Sequence, residues 1–239
     1  MKFQKINEFD LNEEISKSWG ENVLIRGKDL EEGTDYSYLN VIMPWVLKKV
    51  KDCAQSDSRI LDVGCGCGFL TNEIYKNGFR DITGVDISKM TIEYAEKRYP
   101  AVSFICEDIN CYIPDKKYDL CLVVMTANNI CNINDFFVSL KKLLVKKGRV
   151  IFINPHPVFW PIHHLKVDSY YYLNENVYKY NFSTKGRKDY LSPVFYFHRT
   201  LTSYLTYIRE AGFQIIDFLE LADCTSQEEP DILAMEMVC

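Results

Sequence analysis

The segment Arg59-Ile60-Leu61-Asp62-Val63-Gly64-Cys65-Gly66-Cys67-Gly68-Phe69-Leu70 restricts the possible folds of this chain more than any other. A short apolar run ends in an acid, and alternating glycines then turn the chain into a segment of helical character. Glycine permits positive φ and lets a ligand approach where a Cβ would otherwise stand. In open α/β sheets a turn of this kind, at the carboxyl end of the first strand, is where nucleotide-like cofactors bind. Several nucleotide folds share a Gly-x-Gly-x-Gly loop, so the residues after it must decide between them.

Those residues form a series. Asp81-Ile82-Thr83-Gly84-Val85-Asp86 is a second apolar run ending in an acid, and Asp86 lies 20 positions beyond Gly66. Nucleoside sites place a carboxylate at about that distance, where it accepts hydrogen bonds from ribose hydroxyls. A third run, Val102-Ser103-Phe104-Ile105-Cys106, leads to Glu107-Asp108, where a carboxylate can reach an adenine amino group. A fourth, Tyr118-Asp119-Leu120-Cys121-Leu122-Val123-Val124, leads to Met125-Thr126. Acids at three strand ends along one sheet edge suit a neutral or cationic nucleoside. A pyrophosphate would want loop amides without Asp62 beside them.

Taken together, Ile60-Leu61-Asp62-Val63-Gly64-Cys65-Gly66-Cys67-Gly68, Gly84-Val85-Asp86-Ile87-Ser88, Glu107-Asp108 and Tyr118-Asp119-Leu120 resemble the class I S-adenosylmethionine-dependent methyltransferases. Leu143-Leu144-Val145-Lys146-Lys147-Gly148-Arg149-Val150-Ile151 is similar to that family's helix, glycine turn and fifth strand. Ile208-Arg209-Glu210-Ala211-Gly212-Phe213 resembles its last helix before the closing hairpin, so the likeness covers roughly residues 55–239. The resemblance implies an α/β fold: a Rossmann-like seven-stranded, mostly parallel sheet with helices on both faces and an antiparallel C-terminal hairpin strand. It implies S-adenosyl-L-methionine as cofactor, leaving as S-adenosyl-L-homocysteine. By the same resemblance, Gly64, Cys65 and Gly66 approach the amino-acid part of the cofactor, and Asp62 helps hold its ammonium through the loop. Asp86 binds the ribose hydroxyls, Ile87 packs on the adenine, and Asp108 with the Ile109 backbone reads the adenine edge. Met125 and Thr126 line the methionine arm and the reacting methyl. The chain departs from the commonest pattern at Cys67, where Thr, Ser or Ala is usual; the similar size of Cys should preserve binding.

With 239 residues, 47% of them hydrophobic, the chain can bury the core of one enzyme domain. The expected organisation is an N-terminal helical lid segment (1–55), a cofactor-binding core (56–154), an aromatic substrate-lid insertion (155–199) and a closing helix and β-hairpin (200–239). The first 11 residues are polar and charged, without a signal-like apolar core. No apolar run approaches the roughly 20 residues that span a bilayer, so no membrane partner is expected. Nine cysteines, with Cys106 and Cys121 inside predicted strands, read as reduced thiols of a cytoplasmic protein. The glycine loop explains Cys65-x-Cys67 better than a metal pair does, and no metal is expected.

A net charge of −5 and a pI near 5.5 argue against nucleic acid as partner. The one basic cluster, Lys141, Lys142, Lys146, Lys147 and Arg149, reads as a solvated helix end that complements the helix dipole. Methyltransferases of base amino groups typically carry Asn/Asp-Pro-Pro-aromatic after the fourth strand; Met125-Thr126-Ala127-Asn128-Asn129 stands there instead. Asn154-Pro155-His156-Pro157 follows the fifth strand, the wrong place for that role. The expected partner is a small molecule, and the expected assembly a monomer or homodimer.

Two additions flank the core. The N-terminal one reads as helical, with Asp10 or Asn12 as a cap and an amphipathic helix over 36–52 interrupted near Pro44; Trp19, Arg26 and Tyr36 are lid candidates. The other, 155–198, holds twelve aromatic residues. It is too long for a structureless loop. Aromatic-rich stretches over 170–182 and 190–198, joined by the polar turn 183–188, predict a β-hairpin lid over the carboxyl edge of the sheet. Three or four of its twelve rings should touch substrate, the others packing the hairpin or a dimer interface. Aromatic walls with a few hydroxyls suit a flat, partly polar small molecule.

Methyl transfer from a sulfonium is an in-line displacement, so the enzyme's tasks are alignment, desolvation and, for some acceptors, proton removal. All four histidines fall in or beside the lid: His156, His163, His164 and His198. His156, directly after the fifth strand, is the leading base candidate and His198 the second, while His163-His164 reads as solvated loop. Arg199 is placed to anchor an anion or a lid acid, and Thr200 to cap the next helix. The expected reaction is methylation of an O or N atom of a small aromatic or heterocyclic metabolite. The alternatives are protein or RNA methylation, and a non-catalytic S-adenosylmethionine-binding subunit. A nicotinamide dehydrogenase would need a displaced third glycine and a Tyr-x-x-x-Lys pair after the fourth strand, and neither is present.

Overall fold

A computed structural model of the chain describes residues 8–165, 170–223 and 229–239. Its main sheet contains β1 (Ile60–Val63), β2 (Ile82–Asp86), β3 (Ser103–Cys106), β4 (Tyr118–Val124), β5 (Leu144–Pro155), β8 (Gln214–Ala222) and β9 (Pro230–Val238). The order across the sheet is β3-β2-β1-β4-β5-β9-β8. β9 runs antiparallel to both of its neighbours, β5 and β8, and the β1–β5 pairings are parallel. Strand order reverses beside β1, and at such a switch point a crevice opens at the carboxyl ends of the strands.

Period-two alternation divides the strand side chains between two cores. Ile60, Ile82, Leu120, Leu122, Ile151 and Ile153 pack on one face with residues of α2 (Met43–Cys53), α3 (Phe69–Lys76) and α4 (Lys89–Arg98). Leu61, Val63, Cys121, Val123, Val150 and Phe152 pack on the other, with α5 (Ile133–Leu143) and α7 (Leu201–Glu210). Ile133, Phe136, Phe137 and Leu140 follow the i, i+3, i+4, i+7 spacing of one helix face, and all are buried. Each such side chain contributes roughly 1.5–3 kcal/mol relative to exposure. Asn132 caps α5 by accepting the Asp135 N–H, and Thr200 caps α7 by accepting the Ser203 N–H at 3.1 Å, as its sequence position predicts.

The N-terminal addition is one long helix, α1 (Glu8–Glu31). Asn12 lies inside it rather than at a cap, and Asp10 is likewise within its bounds. A π-helical turn, Tyr38–Ile42, runs directly into α2, with Pro44 in the first turn of α2. Ile42 and Met43 keep right-handed helical φ/ψ, so the chain stays helical here and the π-helical turn falls just ahead of a proline whose ring and missing N–H would disrupt a regular α-helical turn.

The second addition forms a two-stranded antiparallel sheet, β6 (Asn176–Tyr180) with β7 (Val194–His198), in which Lys179 faces Phe195. The strands are shorter than the sequence predicts, and a short helix, α6 (Phe159–His164), stands where a solvated loop was expected for His163-His164. The connection between β6 and β7 lies on α1. Asn22, fully buried, accepts the N–H groups of Leu191 (2.8 Å) and Ser192 (3.1 Å) and donates to the Ser192 carbonyl (2.8 Å). Asp29, also fully buried, accepts the hydroxyls of Tyr190 (2.7 Å) and Thr184 (3.3 Å). No helix among the described residues is long and apolar enough to cross a membrane.

Candidate active site

A cavity of about 360 Å³ opens at the carboxyl edge of the sheet, beneath α1 and the β6–β7 connection. That volume lies within the range of small-molecule sites, roughly 300–1,000 Å³. The glycine loop forms its floor. Gly64 has φ +68°, and a Cβ there would collide with Thr126, whose hydroxyl donates to the Val63 carbonyl at 3.1 Å. Gly66 has φ +54° and nothing within 4 Å of where its Cβ would stand, so a ligand can rest on its backbone.

Asp86 is held at this floor. Its Oδ2 accepts the Gly66 N–H at 3.0 Å and its Oδ1 accepts the Ser88 N–H at 2.9 Å. Burial pushes its pKa up, and these two bonds oppose the shift. Each oxygen retains capacity for a further donor, as a ribose hydroxyl pair requires. Asp108 accepts the Asn110 N–H at 2.9 Å and the Asn12 amide at 3.4 Å. Ile87 and Ile109 line the wall between these acids, and the Ser16 hydroxyl donates to the Ile87 carbonyl at 3.4 Å. The N-terminal half of α1 therefore covers the end of the cavity assigned to adenine. Met125, on the wall at the end of β4, has φ +56°, unusual for a non-glycine residue. Its N–H donates to the Ile153 carbonyl at 2.8 Å, which fixes the turn. Cys65 also lines the cavity, and burial pushes its thiol well up, so it forms a neutral, apolar piece of wall.

Asp62 is not part of the wall. It falls on the same strand face as Ile60, is 2% exposed, and accepts the Thr71 hydroxyl of α3 at 2.7 Å. Burial pushes its pKa up to about 6, with the Thr71 bond opposing and the Asp86 charge adding. It lies beneath the loop and acts on the cavity only through it.

Both histidines expected to serve as bases lie outside the cavity wall. His156 is buried with its Nε2 2.8 Å from Glu220 Oε1, while its Nδ1 accepts the Val158 N–H at 3.2 Å. The strand alternation explains this: Pro155 faces the cavity, so its neighbour turns toward β8. His198 is buried at the end of β7, its Nε2 2.8 Å from the Tyr172 carbonyl, and burial lowers its pKa. Among the described residues Arg199 forms no ion pair with an acid of this insertion; its guanidinium donates to the carbonyls of Ile130 (2.5 Å) and Cys131 (2.7 Å), bracing the loop after β4. Of the N-terminal candidates, Trp19 and Arg26 line the cavity, whereas Tyr36 does not and is 47% exposed. Of the twelve lid aromatics, Trp160, Tyr180 and Phe182 line it.

Two wall residues, Asn128 and Asn129, carried no recognisable signal in the sequence. Asn128 is 5% exposed; its N–H donates to Asn154 Oδ1 at 3.0 Å, and its own amide oxygen has no partner among the described residues. Asn129 accepts the Trp19 indole N–H at 3.1 Å, joining α1 to the loop after β4. Arg26 is paired with Asp35 (2.6 Å) and Asp29 (3.3 Å). Burial opposes its charge, but Asp35 outweighs that and keeps the guanidinium protonated. The residues present fit an adenosyl sulfonium with an amino-acid arm: fixed acids for ribose and adenine, an open glycine backbone, an orphaned acceptor and a half-buried guanidinium.

The fold and this wall define a class I S-adenosylmethionine-dependent methyltransferase, and comparison with known proteins agrees. Residues 54–212 match the family model described as a methyltransferase domain, and the chain belongs to that family. It is 28% identical over 151 residues to a ubiquinone biosynthesis O-methyltransferase of Rickettsia bellii (strain OSU 85-389), covering 61% of this chain and 60% of that protein. The chain thus spans about 60% of the length of that curated relative. Among solved structures it is similar to an S-adenosylmethionine-dependent methyltransferase from Listeria monocytogenes, with TM-score 0.61, 22% identity, and 80% and 96% of the two chains covered. Another is magnesium protoporphyrin IX methyltransferase from Synechocystis PCC 6803 with bound S-adenosylmethionine, with TM-score 0.61, 14% identity and 99% of each chain covered. The cofactor of this chain is S-adenosylmethionine.

Proposed function

We propose that this enzyme transfers a methyl group to an O or N atom of a small, flat ring compound. The observation that carries the reading is the aromatic enclosure formed by Trp19, Trp160, Tyr180 and Phe182 around the cavity that also contains Met125. A polymer would need an open channel, whereas this wall suits a ring that is covered on both sides. The quinone-pathway name of the Rickettsia bellii relative supports a cyclic acceptor and oxygen as the atom methylated. Residues 155–199 serve as the substrate lid in this reading. The number of cysteines, with no disulfide among the described ones, supports a reducing, cytoplasmic setting.

When bound, the cofactor supplies an electrophilic sulfonium methyl. The protein's own work is placement. Asp86 and the Gly66 backbone hold the nucleoside end, and the Asn128 oxygen and Arg26 are available to the ammonium and carboxylate of the amino-acid arm. The rings of the lid and Trp19 exclude water, which strengthens each electrostatic contact inside and aligns the acceptor with the carbon–sulfur axis. Titration calorimetry with S-adenosylhomocysteine and NAD, followed by labelled-methyl transfer to a panel of phenols, catechols and ring amines, tests the reading. Micromolar binding of the first ligand alone and one methylated ring product are expected. Cofactor binding with methylation only of protein or RNA would refute the small-molecule reading, and binding without any product would favour a non-catalytic subunit.

A further inference from the structure

Past Met125 the cavity wall continues to Pro155, Asp231 and Ile232, at the ends of β5 and β9. β9 lies two strands from β4, a separation of about 10 Å at the usual strand spacing. This is room for one substituted ring. At its far side α6 brings His164 to Asp231, with Nε2 3.4 Å from Oδ2. Asp231 is 8% exposed, and its other oxygen is 2.8 Å from His163 Nδ1. The His164 ring stacks on Trp160, with centroids 4.9 Å apart and planes 20° from parallel. Trp160, His164 and Asp231 all line the cavity, and among the described residues His164 Nδ1 has no hydrogen-bond partner. His164 is also the one histidine on the cavity wall.

We propose that His164 is the general base of the reaction, taking the proton of a ring hydroxyl at Nδ1, and that Asp231 positions it. The proposal rests on the methyltransferase reading above and narrows its acceptor to a phenol or catechol. As the substrate O–H bond breaks, its proton passes to Nδ1 and its electron pair forms the new O–CH₃ bond. The C–S bond breaks at the same time, its pair stays on sulfur, and the sulfonium becomes a neutral thioether. Asp231 accepts the Nε2–H, which selects the tautomer with a basic Nδ1 and stabilises the imidazolium that forms. The stack on Trp160 holds the ring plane. The charged and titratable groups around the pair are His163 on α6 and Glu229 just before β9, Tyr180 and Tyr196 against Trp160, and Lys185, Lys188 and Asp223 on the adjoining wall.

The test uses the full chain with S-adenosylhomocysteine bound, and 4-nitrocatechol as a probe whose ionisation is visible by absorbance. Below the probe's own pKa, the native complex should bind it with the phenolate band. His164→Gln should bind S-adenosylhomocysteine as the native protein does and bind the probe without that band. With S-adenosylmethionine, kcat toward the probe should fall by about 10²–10⁴-fold in His164→Gln, the loss shrinking as pH rises and the phenol ionises unaided. Asp231→Asn should lower kcat toward the probe while leaving KM for S-adenosylmethionine unchanged; a merely structural role would move KM and S-adenosylhomocysteine affinity as well. An unchanged phenolate band or unchanged pH profile in His164→Gln overturns the proposal. So does S-adenosylhomocysteine binding with no probe binding in the native protein, which leaves the cofactor assignment standing. Failure of S-adenosylhomocysteine itself to bind removes the reading underneath.

Discussion

Replacing Asp62 with asparagine should separate stability from cofactor binding. The carboxyl is 2% exposed, and burial raises its pKa from the ordinary 3.8 to about 6. The folded state therefore holds this proton more tightly than the unfolded chain does. The resulting stabilisation is fully present below pH 3.8 and is lost as pH rises through about 6. Above that, the ionised group costs the fold roughly two pKa units, or about 3 kcal/mol. Asparagine carries no charge, and its carbonyl oxygen can still accept the Thr71 hydroxyl. Asp62→Asn should thus match the native protein near about pH 4 and exceed its unfolding free energy by about 3 kcal/mol in the neutral range. Urea denaturation of both proteins across that pH range reads the difference directly. A variant that is less stable at neutral pH, or a difference that does not change with pH, would refute the burial argument. The compensating expectation is functional: the ionised acid beneath the loop favours the ammonium of the amino-acid arm, so S-adenosylhomocysteine, which keeps that ammonium, should bind more weakly to the variant. In the native protein that affinity should fall as pH drops through about 6.

Three further outcomes follow from the same geometry. Asp86→Ala removes the acceptor of the Gly66 and Ser88 N–H groups together with the ribose contact, and should cost about 3 kcal/mol of S-adenosylhomocysteine affinity, roughly 10²-fold by calorimetry. Gly64→Ala forces a Cβ into Thr126 at φ +68°, and should lower thermal stability by roughly 2–5 kcal/mol and abolish cofactor binding. Asn22→Ala leaves the Leu191 and Ser192 amides without their acceptor, and should speed hydrogen exchange across 181–193 while costing about 1–3 kcal/mol in denaturation. Exchange that stays at the native rate there would show that the lid is held by other contacts.

The cofactor half of the site was legible because its signals are local. A strand end, a glycine turn and an acid at a fixed distance all lie within one βαβ unit, so Asp86 could be placed by counting, while the resemblance to the family placed Ile87, Asp108 and Met125 at successive strand ends; each lines the cavity. The acceptor half depends on what returns from far along the chain. His156 sits at the end of β5 as expected, but one position of strand alternation turns it to Glu220 and away from the cavity. His164 looked like one of two solvated loop residues, because nothing near it in sequence announces Asp231, 67 positions later. Asn128 likewise gains its meaning from Asn154 and from the orphaned oxygen that their pairing leaves. Aromatic content predicted a hairpin but could not say which rings face inward, since that depends on register and on the seat the connection finds on α1.

The roof of the cavity is made from two segments far apart in the chain, bolted to each other by Asn22 and Asp29. The adenine end lies under Asn12 and Ser16 of α1, while the acceptor end lies under Tyr180, Phe182 and Lys188 of the hairpin. The two ligands therefore have separate doors that share one bolt. Neither door swings wide while the other is pinned by its occupant, so the arrival of each ligand slows the departure of its companion. Loosening this joint, as Asn22→Ala does, is therefore expected to speed ligand release in stopped-flow measurements while leaving the contacts around the transferred carbon intact.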